Sequence, residues 1–190
     1  QGADVSGTDK GIILLDGGQN TMINAQPTTL TLNTSNAVAL NIDANGHITK
    51  PKQPAFLVEP SNNAANQNIA VGSDVTVTFG TEIFDQNGDF ASNTFTAPVT
   101  GKYQLQTGLR VQSLSYSINY YFVLIKTSNR SYINILDPDF GQDSSYFTFT
   151  LSVLADMDAN DTAIVTIYQP TGTQQTDIID DSFFSGYLVA

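Results

Sequence analysis

Apolar and polar residues alternate with a period of two along most of this chain, the spacing that places successive side chains on opposite faces of an extended strand. The clearest runs are "SDVTVTFG" at 73–80, "GKYQLQTGLRV" at 101–111, "INYYFVLI" at 118–125, "YFTFTLSV" at 146–153, "TAIVTIYQ" at 162–169 and "FFSGYLV" at 183–189. Clusters of Gly, Asn, Asp and Pro separate them and helical spacing is nearly absent, so the pattern predicts an all-β sandwich or barrel. The last run is the most informative. "DDSFFSGYLVA" carries aromatic rings and a Leu-Val pair up to Ala190, although chain ends fray unless a sheet or a core holds them. This segment is expected to be a central strand.

Residues 1–50 follow another pattern. Short apolar stretches are broken by Gly-Gly and Asn-rich turns in "GIILLDGGQNTMINAQPTTLTLNTSNAVALNIDANGHITKP", with a hairpin signal at Asn45-Gly46. Strands this short bury no core alone and gain stability by stacking or by winding with other chains. Pro51 and Pro54 stiffen the junction that follows. The chain therefore divides into a β-rich fibrous stem, 1–50, and a head, 51–190.

Composition narrows the function classes. At 41% hydrophobic residues a real core forms, while charged residues are only 13%, so Ser, Thr, Asn, Gln and Gly must supply the polar surface. The formal charge of −11 argues against nucleic acid and anionic membrane as partners, because phosphate binding needs a basic footprint. The absence of cysteine removes disulfides, thiolate zinc sites and Cys nucleophiles. No apolar run reaches the roughly 20 residues of a membrane helix, so no membrane insertion is expected. The chain starts at Gln1 without a signal peptide, which reads as a fragment or processed piece of something longer.

Beyond the junction the landmarks fall in an ordered set: "PAFLV" at 54–58, then Phe95, Pro98, Gly101 and Tyr103 in "FTAPVTGKYQLQ", and finally Ser182, Phe184, Gly186 and Leu188 in "SFFSGYLV". Over residues 54–190 this resembles the globular-head family of complement component one q, itself related to the tumour necrosis factor fold. The resemblance implies a jelly-roll β-sandwich whose last strand lies in the middle of the inner sheet, and a homotrimer packed about a threefold axis. One departure is "LADMDANDTA" at 154–163, longer than the family's usual Leu-x-x-Gly-Asp turn and without its glycine.

The residues of "INYYFVLI" agree with self-association. Ile118, Tyr120, Phe122 and Leu124 fall on one strand face, and Tyr121, Val123 and Ile125 on the other. One face can fill the sandwich; the other needs cover, most simply from another copy, with a loop of the same chain as the alternative. The residues expected at the trimer interface are Tyr120, Tyr121, Val123 and Ile125, centred on whichever tyrosine faces the axis.

Candidate chemistry is sparse. The only histidine, His47, adjoins the Asn45-Gly46 turn, and a turn residue is the expected reading of it. No P-loop, dinucleotide fingerprint or histidine-rich metal motif occurs, so no enzyme and no required cofactor is expected. In "LDPDFGQD", Asp137, Asp139, Gln142 and Asp143 are oxygen donors of the kind calcium prefers, set against a plain solvated Asp-Pro turn. Asp156, Asp158 and Asp161 lack a turn glycine and a closing Glu, and read as a hairpin turn.

Three functions compete. "ALNIDANGHITKPKQPAF" resembles the stem-to-head junction of bacteriophage and bacterial fibre proteins, which implies a trimeric phage-fibre head at the virion surface that binds a host-surface glycan or protein. A structural fibre or capsid decoration, or a trimerisation cap without ligand, is the second. A secreted bacterial complement-like lectin is the third.

Overall fold

Alternating β-branched and aromatic residues build strands and nothing else: no helix occurs among the described residues of the structure, a computed structural model that describes residues 29–34, 37–61, 66–173 and 175–190. Residues 1–28, 35 and 36 of the expected stem lie outside them. The chain separates into two compact units, 1–51 and 52–190.

In the first unit, strands β1 (Leu30–Thr34), β2 (Ala37–Ile42) and β3 (Ile48–Thr49) form an antiparallel sheet. The turn between β2 and β3 is the one signalled by Asn45-Gly46. Gly46 takes φ +85°, and Asp43 accepts the backbone N–H groups of Asn45 and His47 at 2.8 and 2.9 Å.

The second unit is a two-layer sandwich. One sheet runs β5 (Gln67–Asn68), β15 (Asp177–Ile178), β10 (Gly101–Leu114), β16 (Phe183–Leu188), β4 (Ala55–Glu59), β7 (Thr81–Asp85), with β13 (Ser144–Met157) along the other edge of β10. The other runs β12 (Ser131–Leu136), β11 (Tyr121–Thr127), β14 (Thr162–Tyr168), β9 (Thr94–Thr96), β8 (Phe90–Ala91), with β6 (Asp74–Thr76) beside β14. The closing strand β16 pairs with β10 on one side and β4 on the other, the central position expected of it.

Between the layers lies one hydrophobic core. Phe56 of the "PAFLV" strand stacks on Phe95 at 4.7 Å and meets Phe184 edge-on at 5.0 Å, so the landmarks of the resemblance touch one another. Tyr103 is fully buried, lies 5.4 Å from the Phe95 ring and donates its hydroxyl to the Val99 carbonyl at 2.7 Å.

Two local expectations are revised. The run 73–80 is a strand only to Thr76, because beyond it Thr78 N–H donates to the Gln67 side chain and Phe79 N–H to that of Asn93. The run 118–125 becomes strand only at Tyr121, and a further strand, β12, covers 131–136. Gly101 is not in a left-handed conformation. A Cβ there would stand 2.6 Å from both the Ala190 carbonyl oxygen and the Leu188 side chain, so glycine makes room for the closing strand.

Candidate functional site

The two outward sheet faces are candidate surfaces, and strand register sets each of them. On the seven-stranded sheet, Leu154 stands beside Gln104, Gln104 beside Tyr187 and Tyr187 beside Ala55. In the next row Ser152, Gln106, Ser185, Leu57 and Phe84 follow one another. Neither row carries a formal charge. Leu154, Tyr187 and Phe84 are about half exposed, and a depression of about 400 Å³ opens between Leu57, Phe84 and Tyr187 with Gln104 and Gln106 at its side. Charge returns only beyond these rows. Lys102 and Asp156 face each other at one end, and at the other Arg110 pairs with Asp181 and lies over the Tyr146 ring.

The six-stranded sheet corrects the expected trimer contacts. Tyr121, Val123 and Ile125 have no exposure in a single chain, because they point into the core between the two sheets, where Tyr121 lies 6.1 Å from Phe149 of the opposite layer. These three cannot also cover a second copy. Only Tyr120 of that set reaches the surface, and it does so on the opposite layer from the uncharged face. Its ring lies 4.6 Å from Phe122, which in turn stacks on Tyr168 at 6.1 Å. Beside them Ile133 and Ile135 of β12 are 53% and 60% exposed. Sequence reasoning missed these two, although "SYINIL" alternates; its small period-two run was overshadowed by the stronger runs either side.

The acidic loops do not assemble a metal cage within one chain. Among the described residues no group of three or more His, Asp or Glu side chains converges. Asp137, Asp139, Gln142 and Asp143 are all exposed. Asp143 is drawn to its own chain, accepting Tyr116 N–H at 3.1 Å and the Gln175 amide at 3.2 Å. In the second loop Asp161 accepts Asp158 N–H and the Asn129 amide, Asp156 pairs with Arg130, and Asn160 takes φ +73°. Asn160 thus performs the turn that a glycine would otherwise provide. His47 pairs with Asp43 at 2.8 Å in its hairpin, a contact that holds the Asp43 carboxyl below its ordinary range.

Among the described residues of the head, titration is perturbed in three places. Burial, reinforced by the charge of Asp85, raises the Asp89 carboxyl, one of whose oxygens is buried without a partner. Burial also raises the Tyr103 and Tyr121 phenols above their ordinary range. All three are packed in the fold rather than gathered in a cleft, as structural groups are.

Comparison with known proteins accords with this geometry. The C1q domain model matches residues 55–189. The globular domain of the zebrafish complement 1qA protein superposes with a TM-score of 0.54 at 19% identity, covering 73% of this chain and 98% of that one. Murine APRIL superposes with a TM-score of 0.52 at 12% identity, covering 73% of this chain and all of the other. No curated protein sequence matches the chain. The two layers are therefore a jelly roll of the C1q and tumour necrosis factor type.

Proposed function

The chain belongs to the C1q domain family, and on that premise we propose that it is a non-catalytic, homotrimeric binding head, set on a fibrous stem at a virion surface, that attaches to a host-cell glycan or protein. The two uncharged rows on the outward face of the seven-stranded sheet carry this reading. Copies with a formal charge of −11 repel one another over distances set by salt, and a surface free of charge adds nothing to that repulsion when copies pack. Leu154, Tyr187, Leu57 and Phe84 supply its apolar area, and Gln104 and Gln106 supply donors and acceptors that a partner can satisfy. The fibre setting is supported by the short strands of 30–49 and by the fibre-like junction "HITKPKQPAF". Three copies present every ligand site three times, which turns weak single contacts into firm attachment.

Light scattering tests the assembly. A trimer mass is expected, and Tyr187→Asp is expected to give a folded monomer, whereas Ile133→Asp, on the other layer, keeps the trimer. A monomeric mass for the unaltered chain at micromolar concentration overturns it. Binding of the trimer to an array of immobilised bacterial surface glycans tests the attachment; a chain that retains none of them, and no host cell, is a structural cap.

A further inference from the structure

The outward face of the six-stranded sheet is shaped differently from the uncharged face opposite. Register lines up Ile135, Phe122, Tyr168 and Asp74 across four strands, and Ile133, Leu124, Thr166 and Thr76 in the next row. Tyr120, two residues before Phe122 along the chain, lays its ring against that of Phe122, so three rings stand in contact one after another, each partly exposed. Lys126 lies one row further along yet reaches Asp74 at 2.5 Å, which takes its stem across the Leu124–Thr166 row. Beneath it Thr166 is 2% exposed, and its hydroxyl has no hydrogen-bond partner. A row of aromatic rings thus ends at an ion pair with a spare buried hydroxyl under it.

We propose that this row, Tyr120–Phe122–Tyr168 with Asp74 and Lys126, is a binding site for neutral pyranose sugars. The inference rests on the reading of the head as a glycan-binding module and names the site and the sugar class. A pyranose has one face of polarised C–H groups and a rim of hydroxyls. The negative faces of aromatic rings attract the first. A carboxylate that only accepts and an ammonium that only donates satisfy the second at both ends of each hydroxyl. Such a site is mainly apolar with a few placed polar groups, the usual make-up of a small-molecule site.

Charge decides between sugar classes. Lys126 and Asp74 cancel, no other formal charge lies in these rows, and the chain as a whole is strongly negative. A sialic acid or uronate therefore finds no unpaired cation here, and a neutral hexose meets no penalty. The same ion pair argues against a second copy as occupant, because a broad interface would strip both charges of water at a cost their attraction need not return. A small ligand leaves them partly hydrated.

The test compares the whole chain with Phe122→Leu and Tyr168→Leu on immobilised neutral and acidic glycans, with melting temperature and scattering mass measured alongside. Retention on neutral hexose glycans, and at least a tenfold loss in both variants with mass and folding unchanged, is the expected result. If the chain binds glycans but neither variant weakens it, or if acidic glycans are preferred, this site is wrong while the attachment reading stands. If the unaltered chain binds no glycan but still attaches to cells, the partner is a protein or peptide and the sugar site falls. Loss of the trimer mass in Phe122→Leu shows the patch to be covered by another copy, which also overturns it. Should one variant fail to fold, Tyr120→Leu at the end of the row decides in its place.

Discussion

The phenol of Tyr121 lies 2.7 Å from the hydroxyl of Thr176, a bond between the two layers of the sandwich. Tyr121 opens β11 in the six-stranded sheet, and Thr176 immediately precedes β15 in the seven-stranded one. The same phenol oxygen accepts Ser115 N–H at 3.2 Å, so one side chain satisfies two polar groups inside the sandwich. Removing the hydroxyl as Tyr121→Phe orphans the Ser115 donor, at about 1–3 kcal/mol. In a domain of this size each kcal/mol lowers the melting temperature by about 2–4 °C. Tyr121→Asp, which buries a carboxylate instead, is expected to leave no soluble head.

The raised phenol of Tyr121 gives that variant a pH signature. The folded state holds the proton more tightly than the unfolded state, so this stability is complete below the ordinary value of 10.0 and is lost as pH rises through the folded value. The deficit of Tyr121→Phe relative to the unaltered chain is expected to narrow above about pH 10. Denaturant titrations at pH 7 and on the alkaline side check this; a constant gap refutes it.

Gly186 sits in the middle of β16, where an added Cβ would stand 2.7 Å from Leu105 and 2.8 Å from Phe56. Gly186→Ala is therefore expected to cost about 1–3 kcal/mol by overpacking, read as a lowered melting temperature. A chain ending at Ser182 loses the strand between β10 and β4 altogether and is expected to yield no folded head. Deleting residues 1–50 is expected to leave the head's melting temperature unchanged.

Asp89 reports on the acid side. Its carboxyl is raised, first by burial and then by Asp85, so the folded state binds its proton more tightly than the unfolded state. Ionisation at neutral pH therefore opposes folding, and the penalty fades as pH falls through the folded value toward the ordinary 3.8. Asp89→Asn is expected to melt higher than the unaltered chain at pH 7 and no higher near pH 4. An equal difference at both pH values would assign the effect to packing.

Calcium removal addresses the 137–143 loop. Since Asp143 is held by Tyr116 and Gln175 and the acidic side chains do not converge among the described residues, the melting temperature of the head is expected to be unmoved by excess chelator. A fall on chelation that Asp139→Ala abolishes would mean that neighbouring copies complete an ion site.

The alternation of "GKYQLQTGLRV" and "TAIVTIYQ" was enough to specify strands, because side-chain direction along an extended backbone is a local property. The sequence alone also placed "FFSGYLV" inside a sheet and the hairpin turn at Asn45-Gly46, since both follow from neighbouring residues and from the cost of exposing so much apolar surface. Which face of "INYYFVLI" points inward could not be read there. Both faces are apolar, and the choice depends on β14, some forty residues further along the chain, whose buried Val165 and Ile167 stand beside Ile125 and Val123 on the same inward face. The role of Gly101 was likewise hidden, because the atoms that forbid a side chain there belong to Leu188 and Ala190. Only the tertiary structure separated an uncharged face from an aromatic row ending in an ion pair. Each is assembled across strands distant in sequence, and packing between strands, rather than order along the chain, decides which side chains share a surface.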